Sequence, residues 1–282
     1  MQNRQRAVRL AVVVVLAGAS LAVAETRKEF RFHVGRRANI SVVNQYGAVS
    51  VKPGSNSDVL VTAVLYSDKV EPDHIQAGSR VDFVSHLLPG ATQETGRVDY
   101  ELEVPAGATV SVQSATGPLN VEGLRGDVAV EGTVANVTVR QVTGGHVRVR
   151  TLSGPVTLTN IEDGHVEVTS VSGDVTLTAV NGPSVQVNSN SGKISYDGLF
   201  GAAGDYSLTS HTGDIEAVAP SYASMDVVAR SEHGEVDNDF SLQPRHSSFP
   251  VKAKSAFEGT IGKAASSVKL FSISGKIHLK KR

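Results

Sequence analysis

The stretch VTSVSGDVTLTAV, Val168–Val180, sets apolar residues at alternate positions, fills the places between them mainly with hydroxyls, and breaks once at Ser-x-x-Gly. Alternation with period two is the signature of a strand with one buried face. A glycine three residues after a serine supplies a corner that bulkier residues resist. Aligning the chain on that glycine finds eight copies, centred on Gly117, Ala135, Gly154, Gly173, Gly192, Gly213, Gly234 and Gly275. From 117 to 234 the steps are 18, 19, 19, 19, 21 and 21 residues.

Fixed positions within the period are apolar in every copy. Seven residues before the centre stand Val110, Val128, Val147, Val166, Val185, Tyr206, Val227 and Val268. Two residues after it stand Leu119, Val137, Val156, Val175, Ile194, Ile215, Val236 and Ile277. Two short strands per period, with like residues recurring at like places, predict an all-β, single-domain, β-solenoid-like repeat of 19–21 residues per coil. Coils about 4.8 Å apart would make six steps a rod on the order of 30 Å long. A meander of antiparallel hairpins in a sandwich or prism suits the same strand spacing. Constancy of the period favours stacking.

Stacking makes a second expectation, because equivalent outward residues become neighbours. Arg148, Glu167 and Gln186 then form one row, Thr157, Thr176 and Ser195 a second, and Thr159, Thr178 and Asp197 a third. Rows of hydroxyls and of alternating charge are what such ladders favour. These residues are the candidate binding surface.

The flanks are organised differently. Residues 25–106 read as an N-terminal β capping region without the period, and the polar stretch from Lys69 to Gly96 as a short helix or long loop. Residues 107–240 hold the repeat, and 241–282 an atypical C-terminal coil and the last copy, whose Lys280-Lys281-Arg282 tail fits a protective end. The first 24 residues have the layout of a signal peptide: Arg4, Arg6 and Arg9, a short apolar run from Leu10, and Ala22-Val23-Ala24 at the cleavage point. The apolar run is too short for a spanning helix. This predicts an exported protein, periplasmic or extracellular and associated with the cell envelope, with no stable membrane span in its mature form.

Composition narrows the function classes. The 282 residues carry 27 basic and 28 acidic side chains, so no global charge recruits nucleic acid. With no cysteine there are no disulfides, no thiolate nucleophile and no cysteine metal site. No HExxH, GxSxG, Walker or EF-hand motif occurs, and no cofactor, metal or catalytic set is expected. His146 and His165 fall one period apart, but no acidic third ligand shares their row. The one carboxylate pair worth weighing is Asp214 and Glu235, which follow successive corner glycines and could serve as acid and base of a β-helical enzyme acting on extracellular polysaccharide. Solvated charges in a ladder are the simpler reading.

The segment VDYELEVPAGATVSVQSATGPLNVEGL, the recurrent SGDVTL and SGKI phrases, and the closing FEGTIGKAASSVKLFSISGKIHL resemble the bacterial β-strand-repeat family of adhesin-type proteins with toastrack-type domains, over roughly residues 38 to 280. The resemblance implies a secreted or envelope-facing β-solenoid and brings no catalytic motif. Together these readings predict a non-enzymatic adhesin-like binding or scaffold module. Its partners would be an envelope polymer, glycan or envelope protein. A purely structural role, with coil edges adding to a partner's sheet, is the remaining alternative.

Overall fold

The computed structural model describes residues 25–55, 57–244 and 252–282; the signal-peptide layout lies outside these residues. The chain forms two sheets, of 12 and 13 strands, face to face around one continuous apolar core. We call them sheet A and sheet B. Each coil gives one strand to each, and neighbouring coils pair parallel. That pairing decides for stacked coils over antiparallel hairpins. Among the described residues there is no helix.

The columns read from the sequence are the columns of the structure. Val147, Val166 and Val185 are in register on sheet B, and Val156, Val175 and Ile194 on sheet A. All six are buried. Burying one such valine side chain stabilises by roughly 1.5–3 kcal/mol, so the columns supply most of the driving force.

The corners explain the glycines. A Cβ placed on Gly173 would lie 1.8 Å from the Gly154 carbonyl oxygen, and one on Gly192 2.0 Å from that of Gly173. Each coil's corner backbone thus occupies the space a side chain would need on the next. The preceding serine completes the turn: Ser170 Oγ accepts the Gly173 N–H at 3.1 Å and donates to the Gly173 carbonyl at 2.8 Å. The opposite corner repeats the device with Gly126, Gly145, Gly164 and Gly182, each pressed on the backbone of the preceding coil.

Three expectations are corrected. First, the N-terminal region does contain the period. Asn39–Tyr46 and Val49–Pro53 form a full coil around Gly47, in register with Thr109–Thr116 and Leu119–Glu122. It hides because the next copy comes 70 residues later, after an excursion, and because Asn44 replaces the corner serine. Secondly, Lys69 to Gly96 is neither helix nor one long loop. Val70–Ala77 and Arg80–Leu87 form an antiparallel hairpin turning at Gly78, and only Leu88 to Arg97 remains as loop. Arg80–Leu87 and Val98–Val104 then make a further coil outside the Gly47 coil.

Thirdly, the last copy in sequence is not the last in space. Ser267–Ser272 lies between Asp205–Ser210 and Met225–Ser231, and Ile277–Lys281 between Ile215–Ala219 and Val236–Asn238. The basic tail is therefore no end cap. Lys280 Nζ sits 3.0 Å from Glu216 Oε1 and Arg282 Nη1 3.0 Å from Asp197 Oδ1. The stack ends in antiparallel strands at one end, Thr26–His33 on Asp58–Leu65 and the Val70–Ala77 hairpin strand; at the other, sheet B ends in the antiparallel pair Ala256–Ile261 and Lys252–Ala253 and sheet A in the parallel strand Val236–Asn238.

Candidate functional site

The outward rows are built by the same stacking that buries the valines. Arg148, Glu167 and Gln186 are directly in register on sheet B, and Arg148 Nε donates to Glu167 Oε2 at 2.8 Å. His146 approaches the same carboxylate at 3.9 Å, and its ring lies 6.2 Å from that of His165. Both charges of the Arg148–Glu167 pair are partly solvated, so the pair contributes about 0–1 kcal/mol. Its role is the pattern it presents.

On sheet A, Thr157, Thr176 and Ser195 are in register, as are Thr159, Thr178 and Asp197. Asn120 and Thr138 extend the first of these rows. The result is a patch of hydroxyls and one amide over five successive rungs. Ion pairs border it: Arg140 with Glu122 at 2.8 Å on one side, Arg282 with Asp197 on the other. Beyond it Glu216 accepts from Lys193 and Lys280, and these two hydrogen bonds hold its carboxyl below the usual range.

Asp214 and Glu235 are not neighbours. The inserted last coil places Lys276 between them, with its backbone N–H on Asp214 Oδ1 at 2.7 Å and its Nζ 4.0 Å from Glu235 Oε2. The expectation of adjacent coils fails because Ile277 pairs with both Ile215 and Val236. Among the described residues no group of three or more His, Asp or Glu side chains is placed to hold a metal ion. The described residues include no helix long and apolar enough to cross a membrane.

Sequence reasoning missed a third feature, at the N-terminal end. Arg97 is held by Asp99 through two bonds, Nε to Oδ1 at 3.0 Å and Nη2 to Oδ2 at 2.6 Å, and its guanidinium stacks 4.3 Å above the Tyr66 ring. Asp99 also accepts the Tyr66 hydroxyl at 2.9 Å and the Ala48 N–H at 2.8 Å. Burial alone would raise the Asp99 pKa, but the bonds from Arg97, Ala48 and Tyr66 outweigh it and lower it below the ordinary value. The hydrogen bond to Asp99 raises Tyr66 in turn. The sequence cue was Tyr46-Gly47: once that is read as a corner, Arg97 falls beside it, and the two residues do form a bridge.

Among solved structures, a candidate adhesin from Bacteroides fragilis superposes with a TM-score of 0.50 at 9% identity, covering 93% of this chain and all of that one. A candidate cell adhesion protein from Clostridium sporogenes matches over 91% of this chain and all of its own, at 11% identity and a TM-score of 0.25. No curated protein matches. The family model for the Toastrack domain, DUF4097, matches residues 38–280, and the chain belongs to that family.

Proposed function

We propose that the protein is an exported, non-enzymatic, adhesin-like module that binds or scaffolds a repetitive polymer of the bacterial cell envelope. The observation that carries this is the outer face of sheet A. There Thr138, Thr157, Thr176 and Ser195 present hydroxyls at every rung of an uncharged patch. A surface repeating about every 4.8 Å suits a partner that also repeats, because each added rung adds a like contact. The Bacteroides neighbour bears an adhesin description at full coverage, which supports the reading as far as a shared fold can. The signal-peptide layout supports export. Against the polysaccharide-enzyme alternative, Asp214 and Glu235 are not on adjacent rungs, since the Lys276 coil stands between them.

The test incubates the purified protein with isolated bacterial envelope fractions and a glycan array. Saturable retention is expected, weakened at least tenfold by the pair Thr157→Lys and Thr176→Lys on the sheet A face. Absence of retention by any fraction would sink the binding reading.

A further inference from the structure

The corner row immediately before each central glycine has a structural task in the body of the stack. Ser172, Ser191 and Thr212 donate their hydroxyls to carbonyls of the preceding coil: Leu152 at 3.1 Å, Val171 at 3.2 Å and Asn190 at 3.3 Å. At the N-terminal end the same row reads Arg97, Tyr46, Thr116 and Val134, all in register. Arg97 and Val134 are exposed, and Tyr46 is half-buried. Three of these four positions give up the hydroxyl that the fold uses elsewhere and carry large side chains into solvent instead.

The second departure is at the same place. The corner of the outermost coil is the ten-residue loop Leu88 to Arg97, where the body turns within a few residues. The loop is ordered by its own bonds: Gly96 N–H to the Thr92 carbonyl at 2.7 Å, Thr92 N–H to Thr95 Oγ1 at 2.8 Å, and Ser67 Oγ to the Thr95 carbonyl. Gly96 lies against the Tyr46 ring, where a Cβ would come within 3.2 Å of Cδ2. A long ordered loop in an otherwise economical repeat is where binding residues are expected.

Together these build a cleft of about 410 Å³ walled by Tyr46, Pro118, Val134, Gln93 and Arg97. It continues past Arg97 into a shallower one of about 710 Å³ bearing Thr92 and Glu94. Arg97 divides the two and is fixed by Asp99 and Tyr66, so it loses little freedom on meeting a ligand. We propose that this corner cleft is a binding site for an uncharged sugar residue of a glycan chain, a recessed site separate from the sheet ladders. The chemistry of the walls argues for it. Tyr46, Pro118 and Val134 offer the apolar wall that the C–H face of a pyranose requires, with one electron-rich aromatic ring among them. Gln93, Thr92, Glu94 and Arg97 surround it with donors and acceptors for hydroxyls. The Arg97 charge is neutralised by Asp99 and Glu94 adds a negative one, which disfavours uronic or phosphorylated sugars.

The site rests on the binding-module reading, and the experiment separates the two. Cellotetraose, maltotetraose and chitotetraose are titrated into the full protein by calorimetry, with trigalacturonate as the charged comparison. Saturable binding of at least one uncharged tetrasaccharide is expected, weakened at least tenfold by Tyr46→Ala and by Gln93→Ala. Gln93 is exposed on the loop, so its variant keeps the fold and guards against a Tyr46→Ala loss that is merely unfolding. Binding that survives both changes, or binding of none of the three sugars, overturns the site. Envelope retention that persists in either case leaves the module reading intact, whereas its loss in the unaltered protein removes that reading too.

Discussion

Replacing Gly173 by alanine separates two reasons for a corner glycine. The backbone at Gly173 is not among the positive-φ positions, so alanine meets no conformational penalty there. The contact is the obstacle, because its methyl would stand 1.8 Å from the Gly154 oxygen where about 3.2 Å is tolerable. The corner must open by roughly 1.4 Å, and backbone atoms on both sides cannot yield as a flexible side chain would. Three backbone hydrogen bonds tie that corner: Val171 to Thr151 at 3.1 Å, Ser172 to Leu152 at 3.1 Å, and Val156 to Asp174 at 2.8 Å. Stretching each past useful range costs about 1 kcal/mol, so about 3 kcal/mol is expected, and more if the Ser170 bonds go as well. Gly144 is the opposite case, with φ of 72° and nothing within 4 Å of a built Cβ. Gly144→Ala pays only for its left-handed conformation, about 1–2 kcal/mol. Urea unfolding of the three proteins gives the ranking, and amide exchange at Val171 and Ser172 shows whether the loss is at the corner. A Gly173→Ala variant as stable as Gly144→Ala, with those amides still protected, would refute the stacked-corner reasoning.

Other outcomes follow from single sites. Gly132 and Ala135 break the corner-hydroxyl and central-glycine columns within one coil, and a Cβ on Gly132 would meet the Ala135 methyl at 2.9 Å; a cycle of Gly132→Ser with Ala135→Gly should show a favourable coupling of about 1–2 kcal/mol. Asp99, with its pKa lowered by folding, contributes stability above its unfolded value near 4 and loses it as pH falls through the folded value. The stability gap between the protein and Asp99→Asn should therefore be full at pH 6 and shrink below pH 4, and a gap independent of pH would contradict this. Deleting residues 267–282 unpairs Asp205–Ser210 from Ser267–Ser272 and leaves a slot in both sheets, so circular dichroism should show broad, uncooperative melting. Lys28 shares the inward side of the end strand Thr26–His33 with Phe30 and Phe32, and Pro72 removes a donor from the other end strand; Lys28→Val with Pro72→Thr should give larger concentration-dependent assemblies in sedimentation than the unaltered protein forms.

The parts of the fold legible in the sequence are those that depend on neighbours along the chain. Alternation at Val166, Val168, Val175 and Leu177 and the corner at Ser170–Gly173 are local facts, and a constant period turns them into register without further information. Coil order is not local. Apart from Tyr196, Tyr206, Ala217 and Ala229, the inward columns of the repeat are mostly valine, isoleucine or leucine, so chain-local apolar pattern alone does not say that the Gly275 coil belongs beside Gly213. Charge did say so. Asp214 and Glu235 on adjacent rungs would set like charges together, which a ladder disfavours. Lys276, at the equivalent position of the last copy, removes that conflict by standing between them. The Arg97 cluster was harder to read, because Tyr66, Arg97 and Asp99 converge only after the chain has left the stack and returned.

The two ends share one topological device. At the N-terminus the first coil sits inside the excursion that follows it, and at the C-terminus the last coil sits inside the excursion that precedes it. The C-terminal strands Ser267–Ser272 and Ile277–Lys281 are thus locked between coils, and the edges are Thr26–His33 and Val236–Asn238 on sheet A and Val70–Ala77 and Lys252–Ala253 on sheet B. The arrangement carries a cost in folding, since the slots beside Asp205–Ser210 and Thr109–Thr116 close only when distant segments arrive, which makes these contacts slow. Its consequence for function is a division of labour. A body whose corners are filled by hydroxyls has no room for specificity there, so it can offer only repetition. The N-terminal excursion is where the repeat is suspended long enough to place Tyr46, Gln93 and Arg97 around one cleft. In this fold, recognition of a single residue is expected where the period fails, and recognition of a polymer where it holds.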